Sequence, residues 1–327
     1  MKLYLPENDN DANPVYLPGG DLGNLILGRK IGEGATGLVY KAEMKSINKE
    51  EPVSYFAVKI MRKEYLFTCP EIGERFEIVP EICKFVNESR IIKIFEAEEF
   101  SITWEDIPSY SMRVRDPYGN FKEEMKLAVP FYIMEYIEGE SLRDLLESEK
   151  PISKKQAISI VKETADILGV LHKKSVFHCD LKPGNIFIVD SRIKITDIEF
   201  CQSDKFCTAI PPHRGFLWGD AKYISPEQLL YHTKKNQISK YTPQIPVLPI
   251  TNRSDIYSLG IILYELLTGQ SPERKIIEGT VNLNPEMKPI DSGIDTIIKK
   301  ATQIHPEERY ESVEDLLKDL FHLENGR

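Results

Sequence analysis

The sequence predicts an α+β chain in two parts, a small β-rich part with one main helix followed by a larger α-helical part. Three observations carry this. From Leu25 to Tyr136 strand-like runs outnumber helical ones, and beyond Gly139 apolar residues recur at helical spacing. The 327 residues are 41% apolar and 28% charged, enough to bury one large core or two moderate ones.

Residues 1–22 are rich in Pro, Asn and Asp and show no apolar period, which predicts a weakly ordered lead-in. The first part covers 23–136, with strands at Leu25–Ile31, Leu38–Glu43, Ser54–Met61, Ile91–Phe100 and Phe131–Tyr136. Its helix falls within Glu71–Asn87. The second part covers 137–327, with helices at Lys154–His172, Ser254–Thr268, Gly293–Thr302 and Ser312–Leu323. Two polar stretches look inserted. Residues 101–130 hold the turn Asp116-Pro117-Tyr118-Gly119-Asn120 and predict a long hairpin, while 231–253, rich in Lys, Pro and Thr, predict a surface loop.

A net charge of -9 has the wrong sign for a protein that gathers nucleic acid by its overall field, although a local basic groove stays open. The five cysteines, Cys69, Cys83, Cys179, Cys201 and Cys207, are odd in number and lack CxxC spacing, so no disulfide framework or zinc site is expected. A reducing cytosol fits that usage. The first residues do not form a signal peptide, which leaves only a signal-less route for export. Ile256–Leu267 is too short to span a bilayer and carries Glu265, so it reads as a core helix. Nothing in the sequence indicates an oligomeric state.

The first chemical signal is Ile31-Gly32-Glu33-Gly34-Ala35-Thr36-Gly37-Leu38-Val39-Tyr40. Glycines there let backbone amides approach phosphate oxygens with no Cβ in the way. A plain hairpin turn would use the same residues. Ala57-Val58-Lys59 then puts a lysine on a buried apolar strand, where it needs an anion, and a phosphate supplies one.

The second signal, His178-Cys179-Asp180-Leu181-Lys182-Pro183-Gly184-Asn185, is far more specific. It holds a carboxylate able to orient or deprotonate an attacking hydroxyl, a lysine for phosphate charge and an amide oxygen for a metal. Asp197, at the end of the strand Arg192–Thr196, adds a hard oxygen ligand suited to Mg²⁺.

In this order and spacing the glycine run, Lys59, the His178–Asn185 loop and Asp197 resemble the eukaryotic-type (Hanks-type) serine/threonine protein kinase superfamily. Ser225-Pro226-Glu227 resembles its Ala-Pro-Glu, Ser254–Gly260 its following helix, and Arg309 the arginine that pairs with that glutamate. The likeness covers roughly residues 25–325. It implies the bilobal kinase fold, ATP with Mg²⁺ or Mn²⁺, and transfer of the γ-phosphoryl group to Ser/Thr hydroxyls of protein substrates. Lys59 would hold the α- and β-phosphates, Asp180 would orient the acceptor hydroxyl, and Lys182 would steady the γ-phosphate. Asn185 and Asp197 would bind the metal. Gly32, Glu33, Gly34, Ala35, Thr36 and Gly37 would cover the phosphates, and Ile31, Val39, Ala57 and Phe187 would sandwich the base, although core packing explains apolar positions equally well. Met134 resembles the gatekeeper, Glu135, Tyr136 and Ile137 the hinge, and Ser141 belongs to the same nucleotide site. Glu81, with Glu77 as runner-up, would pair with Lys59, although Pro80 beside Glu81 would break or start a helix there and a solvated surface charge stays open for either glutamate. His178, Asp255, Glu227 and Arg309 would be structural.

The pattern departs from the family at three places. Cys179 replaces the arginine that pairs with a phosphorylated activation segment, so activity is expected without that phosphorylation. Asp197-Ile198-Glu199 replaces Asp-Phe-Gly, which should disfavour a flipped inactive state or strain the active one. Asp220 stands where a threonine is common and could pair with Lys182. Two other functions stay open: a pseudokinase scaffold, and a small-molecule phosphotransferase, against which Ser225-Pro226-Glu227 argues.

Overall fold

The structure, a computed structural model, describes residues 15–17, 25–44, 53–63, 65–68, 71–102, 127–148, 150, 152–206, 219–235, 249–272, 276–277, 280–281 and 285–326. It divides into two compact units, one of residues 1–85 and 93–137 and the other of 86–92 and 138–327. The expected turn at Asp116–Asn120, most of both insertions, and Cys69 and Cys207 lie outside the described residues.

The first unit is an antiparallel sheet of β1 (Val15–Leu17), β2 (Leu25–Glu33), β3 (Gly37–Met44), β4 (Ser54–Met61), β5 (Ile94–Ile102) and β6 (Leu127–Glu135), in the order β1-β2-β3-β4-β6-β5. Alternation in β4 sends Phe56, Val58 and Ile60 to one face, where they join Leu25, Leu27, Tyr40, Ala42, Val129, Phe131 and Ile133 in one apolar core. Ala57 and Lys59 therefore face the other way. The short strand β1 corrects the expected lead-in: Val15 to Leu17 pair with Leu27 to Leu25, and Leu17 is 1% exposed in the core. Three residues are too few to display a period, so the sequence hid this strand.

After the short α1 (Tyr65–Thr68), helix α2 (Glu71–Val86) continues through Pro80. One ring removes a single backbone donor, and the buried stripe Ile72, Phe76, Val79, Ile82 and Val86 holds the helix across that gap. Phe76 meets Tyr132 of β6 with ring centroids 5.1 Å apart.

The second unit starts with β7 (Glu140–Ser141), α3 (Leu142–Glu147) and α4 (Lys154–Lys173), followed by β8 (Ile186–Val189) and β9 (Arg192–Ile195). Strands β7, β8 and β9 form a small antiparallel sheet. Then come α5 (Pro226–Lys235), α6 (Asn252–Thr268), the ladder of β10 (Ile276–Ile277) and β11 (Thr280–Val281), α7 (Ser292–Ala301) and α8 (Val313–Glu324). Helix α5 extends into the stretch expected to be a loop from Tyr231, and 236–248 are not described. Helix α6 is buried from Ser254 to Leu266, as its predominantly apolar run requires, and stops at Gly269, whose φ of 71° suits a residue without Cβ. Among the described residues no helix is long and apolar enough to cross a membrane.

Candidate active site

In the first unit the register sets Val39 beside Lys59, Lys59 beside Tyr132, and Ala57 beside Met134. These residues share the sheet face opposite the apolar core. Lys59 is 1% exposed, Ala57 and Met134 are buried, Val39 is half-buried and Ile31 is 39% exposed. The glycine run forms the turn between β2 and β3, closed by Gly34 N–H donating to Gly37 O at 2.9 Å. Only Gly37 is demanded by packing: a Cβ there would lie 2.7 Å from Ile60 O, whereas Gly32 and Gly34 would meet only ordinary contacts. A hairpin turn thus explains one of the three glycines. Arg62, unforeseen in the sequence, braces the turn through Nε donating to Gly34 O at 2.9 Å, N–H donating to Thr36 O at 2.8 Å, and an ion pair with Glu33. Lys30 and Arg62 beside the Glu33 carboxylate hold its pKa down to about 2.

The carboxylates expected to serve Lys59 are misplaced. Glu81 and Glu77 are both exposed, because the stripe from Ile72 to Val86 turns α2 so that they face solvent. On the same helix Glu71 is the glutamate with an oxygen shut off from water. At the end of β6, Glu135 N–H donates to Lys93 O at 2.9 Å, and Lys93 N–H donates back to the Glu135 carboxylate at 2.6 Å.

In the second unit the loop after α4 is built around Asp255 of α6. This carboxylate has no solvent exposure and accepts from His172 Nε2, His178 N and Cys179 N, each at 2.8 Å. Burial pushes its pKa up, but the hydrogen bond from His172, the neighbouring histidines and the Cys179 amide outweigh that and hold it below the ordinary value. His178 bridges the loop to β9, with Nε2 on Thr196 O at 3.0 Å and Nδ1 accepting Asp180 N–H at 3.3 Å.

Asp180 itself is 3% exposed. Its Oδ2 accepts from Lys182 Nζ at 2.7 Å and from Asn185 Nδ2 at 3.2 Å, and Asn185 Nδ2 also reaches Asp180 O at 2.9 Å. Gly219 (φ 107°) lies against the other side, where a Cβ would come within 3.3 Å of Asp180 Oδ1. With its NH₂ group committed to Asp180, Asn185 has its amide oxygen to offer a cation. Thr196 N–H donates to Asn185 O at 2.9 Å, which ties Asn185 to the residue before Asp197. An amide oxygen and a carboxylate are the donor types that suit a hard divalent ion.

A protein kinase domain profile matches residues 25–327. The chain belongs to the protein kinase family. Related kinases include PknB, a serine/threonine-protein kinase of Mycobacterium tuberculosis, 24% identical over 92% of this chain and 43% of its own. A serine/threonine-protein kinase of Corynebacterium efficiens is 31% identical over 74% of this chain and 38% of its own. A probable serine/threonine-protein kinase of Clostridium perfringens is 28% identical over 89% and 37%. The chain thus spans about two fifths of the length of these relatives. The solved kinase domain of PknI from Mycobacterium tuberculosis matches with a TM-score of 0.60 at 16% identity, covering 94% of this chain and 96% of that one, and shows the same fold.

The kinase departures now have a geometry. Cys179 sits at φ 65° and Asp197 at φ 58°, so the left-handed strain falls on Asp197 and not on Glu199. Glu199 lies inside the 3₁₀ turn Ile198–Phe200, 2% exposed, in a right-handed conformation that any residue adopts; the loss of glycine strains nothing there. Asp220 Oδ1 accepts Lys222 N–H at 3.0 Å, while the Lys182 ammonium lies on Asp180.

Glu227 and Arg309, 1% and 3% exposed, meet in two hydrogen bonds of 2.9 and 2.7 Å, and Ser254 Oγ adds a third to Glu227 at 2.7 Å. Burial pushes the Glu227 pKa up, and Arg309 with Ser254 more than offsets this, leaving it below the ordinary range. Sequence reading missed Gly219, His172 and Gln228. The S-x-x-Q spacing from Ser225 was the available signal for the last of these.

Proposed function

We propose that this kinase transfers the γ-phosphoryl group of ATP to serine or threonine hydroxyls of protein substrates. The observation that carries the reading is the Asp180 carboxylate, buried, gripped by Lys182 and Asn185 and flanked by a bare glycine. In this role Asp180 accepts the hydrogen bond of the incoming hydroxyl and orients its oxygen for in-line attack. Lys182, one quarter exposed at its side chain, neutralises charge on the transferred group. Asn185 and Asp197 would hold Mg²⁺, which when bound offsets the negative charge of the phosphates.

The first unit contributes Lys59 to the α- and β-phosphates and the turn at Gly32–Gly37 as their cover. Gly32 and Gly34, not required by packing, support that use, because without a Cβ they leave the backbone open to the close approach of a phosphate. In the first unit Ile31, Val39, Ala57 and Met134 would contact the adenosine, with the Glu135–Ile137 backbone bonding its base; Ser141 and Phe187 are the nucleotide-binding residues proposed in the second unit. The residue pairing with Lys59 is proposed to be a carboxylate other than Glu81 or Glu77.

Cys179 cannot pair with a phosphate, so the kinase is proposed to work without activation-segment phosphorylation. Its own thiol donates to Phe177 O at 3.3 Å instead. The test combines calorimetry and dephosphorylation. Mg-ATP should bind the wild type at roughly micromolar to millimolar concentration, and Asp197→Asn should lose the strengthening that Mg²⁺ gives to that binding. Phosphatase treatment should leave the rate unchanged. Metal-independent binding by the wild type, or activity lost with phosphate removed from residues 198–224, would contradict the assignments.

A further inference from the structure

We propose that Gln228 is a positioning residue linking the end of the activation segment to the catalytic aspartate, an inference that rests on the kinase reading above. Gln228 is the third residue of α5 and stands three positions after Ser225, the spacing of a capping box. The cap uses one end of the side chain: Oε1 accepts from Ser225 N at 3.1 Å and Ser225 Oγ at 2.9 Å. The other end does something a cap does not need. Nε2 donates to Cys179 O at 2.7 Å, 49 residues upstream, and the side chain is 1% exposed.

Cys179 O and Asp180 N belong to one peptide group. Gln228 holds its oxygen and His178 Nδ1 its N–H, while Asp255 fixes the amide of Cys179 itself. The residue between these anchors has φ 65°, a conformation that cysteine keeps only when its surroundings impose it. Without the Nε2 bond, the buried Cys179 carbonyl loses this 2.7 Å hydrogen bond, and the peptide plane loses the anchor on its oxygen side. Rotation of that plane swings the Cα–Cβ bond of Asp180 away from the acceptor hydroxyl. An aiming error of this kind lowers turnover and leaves nucleotide affinity alone.

Gln228→Glu separates the two jobs. A capping box accepts Glu as readily as Gln, but an ionised Glu has no hydrogen for Cys179 O. A cap-only role therefore predicts wild-type turnover. The positioning role predicts that kcat falls about tenfold to a hundredfold near pH 8, with the KM for ATP unchanged. It also predicts recovery toward acid, because a buried carboxyl titrates above its ordinary range and, once protonated, donates to Cys179 O.

The experiment measures peptide phosphorylation by both proteins from about pH 6 to 9, at a temperature where near-ultraviolet circular dichroism reports each fully folded. The variant-to-wild-type kcat ratio should rise as pH falls. A ratio near one throughout, or a low ratio that ignores pH, overturns the proposal. If Gln228→Glu does not fold, Gln228→Asn, too short to span both partners, must show the same kcat loss at unchanged KM, and equal kcat overturns it. Wild-type protein that phosphorylates nothing in this assay contradicts the kinase reading instead.

Discussion

Replacing Glu227 by Gln removes one charge from a buried pair and changes little else. Arg309 is then left charged in a site where both partners were almost fully shielded. Breaking such a pair costs about 3–5 kcal/mol, because the surviving charge stays desolvated. The lower end applies here, since Arg309 keeps bonds to the carbonyls of Gln303, Arg253 and Ile304 and the new amide still offers one oxygen. About 3 kcal/mol corresponds to a Tm lowered by roughly 6–12 °C in a unit of this size. Thermal unfolding followed by circular dichroism at pH 7 measures it. The pH dependence follows from the depressed Glu227 pKa. The ion pair stabilises fully above the carboxyl's unfolded value and is lost as pH falls through the lower folded value, so the gap between wild type and variant should narrow in acid. A Tm within about 2 °C of wild type at pH 7 would refute the reasoning, as would a gap that widens in acid.

Gly219→Ala would place a Cβ 2.5 Å from Ile224 Cγ2 at a φ of 107°, so both stability and kcat should drop, read by melting and by steady-state kinetics; an unaffected kcat would remove Gly219 from the account of Asp180. Arg62→Leu frees the turn at Gly34, and because its ion pair with Glu33 is half-exposed the KM for ATP should rise only about two- to fivefold, with kcat little changed. Raising salt should weaken the wild type toward the variant, and a KM insensitive to both changes would contradict the bracing role.

Much of this molecule was legible because its signals are local. Strands β2 to β4 and helix α6 announce themselves by strand-like runs and by a predominantly apolar run, and the His178–Asn185 loop packs its chemistry into consecutive residues. The failures have a common cause in tertiary packing. Pro80 suggested a helix boundary, yet the apolar stripe of α2 carries the helix past it and turns Glu81 outward. Val15–Leu17 has no period of its own and is fixed by pairing with β2. The Asp255 network joins residues 77 and 76 positions apart, and the Gln228 link spans 49, distances over which sequence offers residue types but no geometry. Glu199 illustrates the same limit: where Asp-Phe-Gly loses its glycine the sequence implies strain, and the structure puts the left-handed residue two positions earlier.

The measurement that bears most directly on the central claim is transfer of label from γ-labelled ATP to a generic protein acceptor, run with wild type and Asp180→Asn in Mg²⁺ and in Mn²⁺. Phosphoserine and phosphothreonine should accumulate with the wild type and fall by about two orders of magnitude or more with the variant. Absence of transfer by the wild type in either metal, or an Asp180→Asn protein that works at the normal rate, would contradict it.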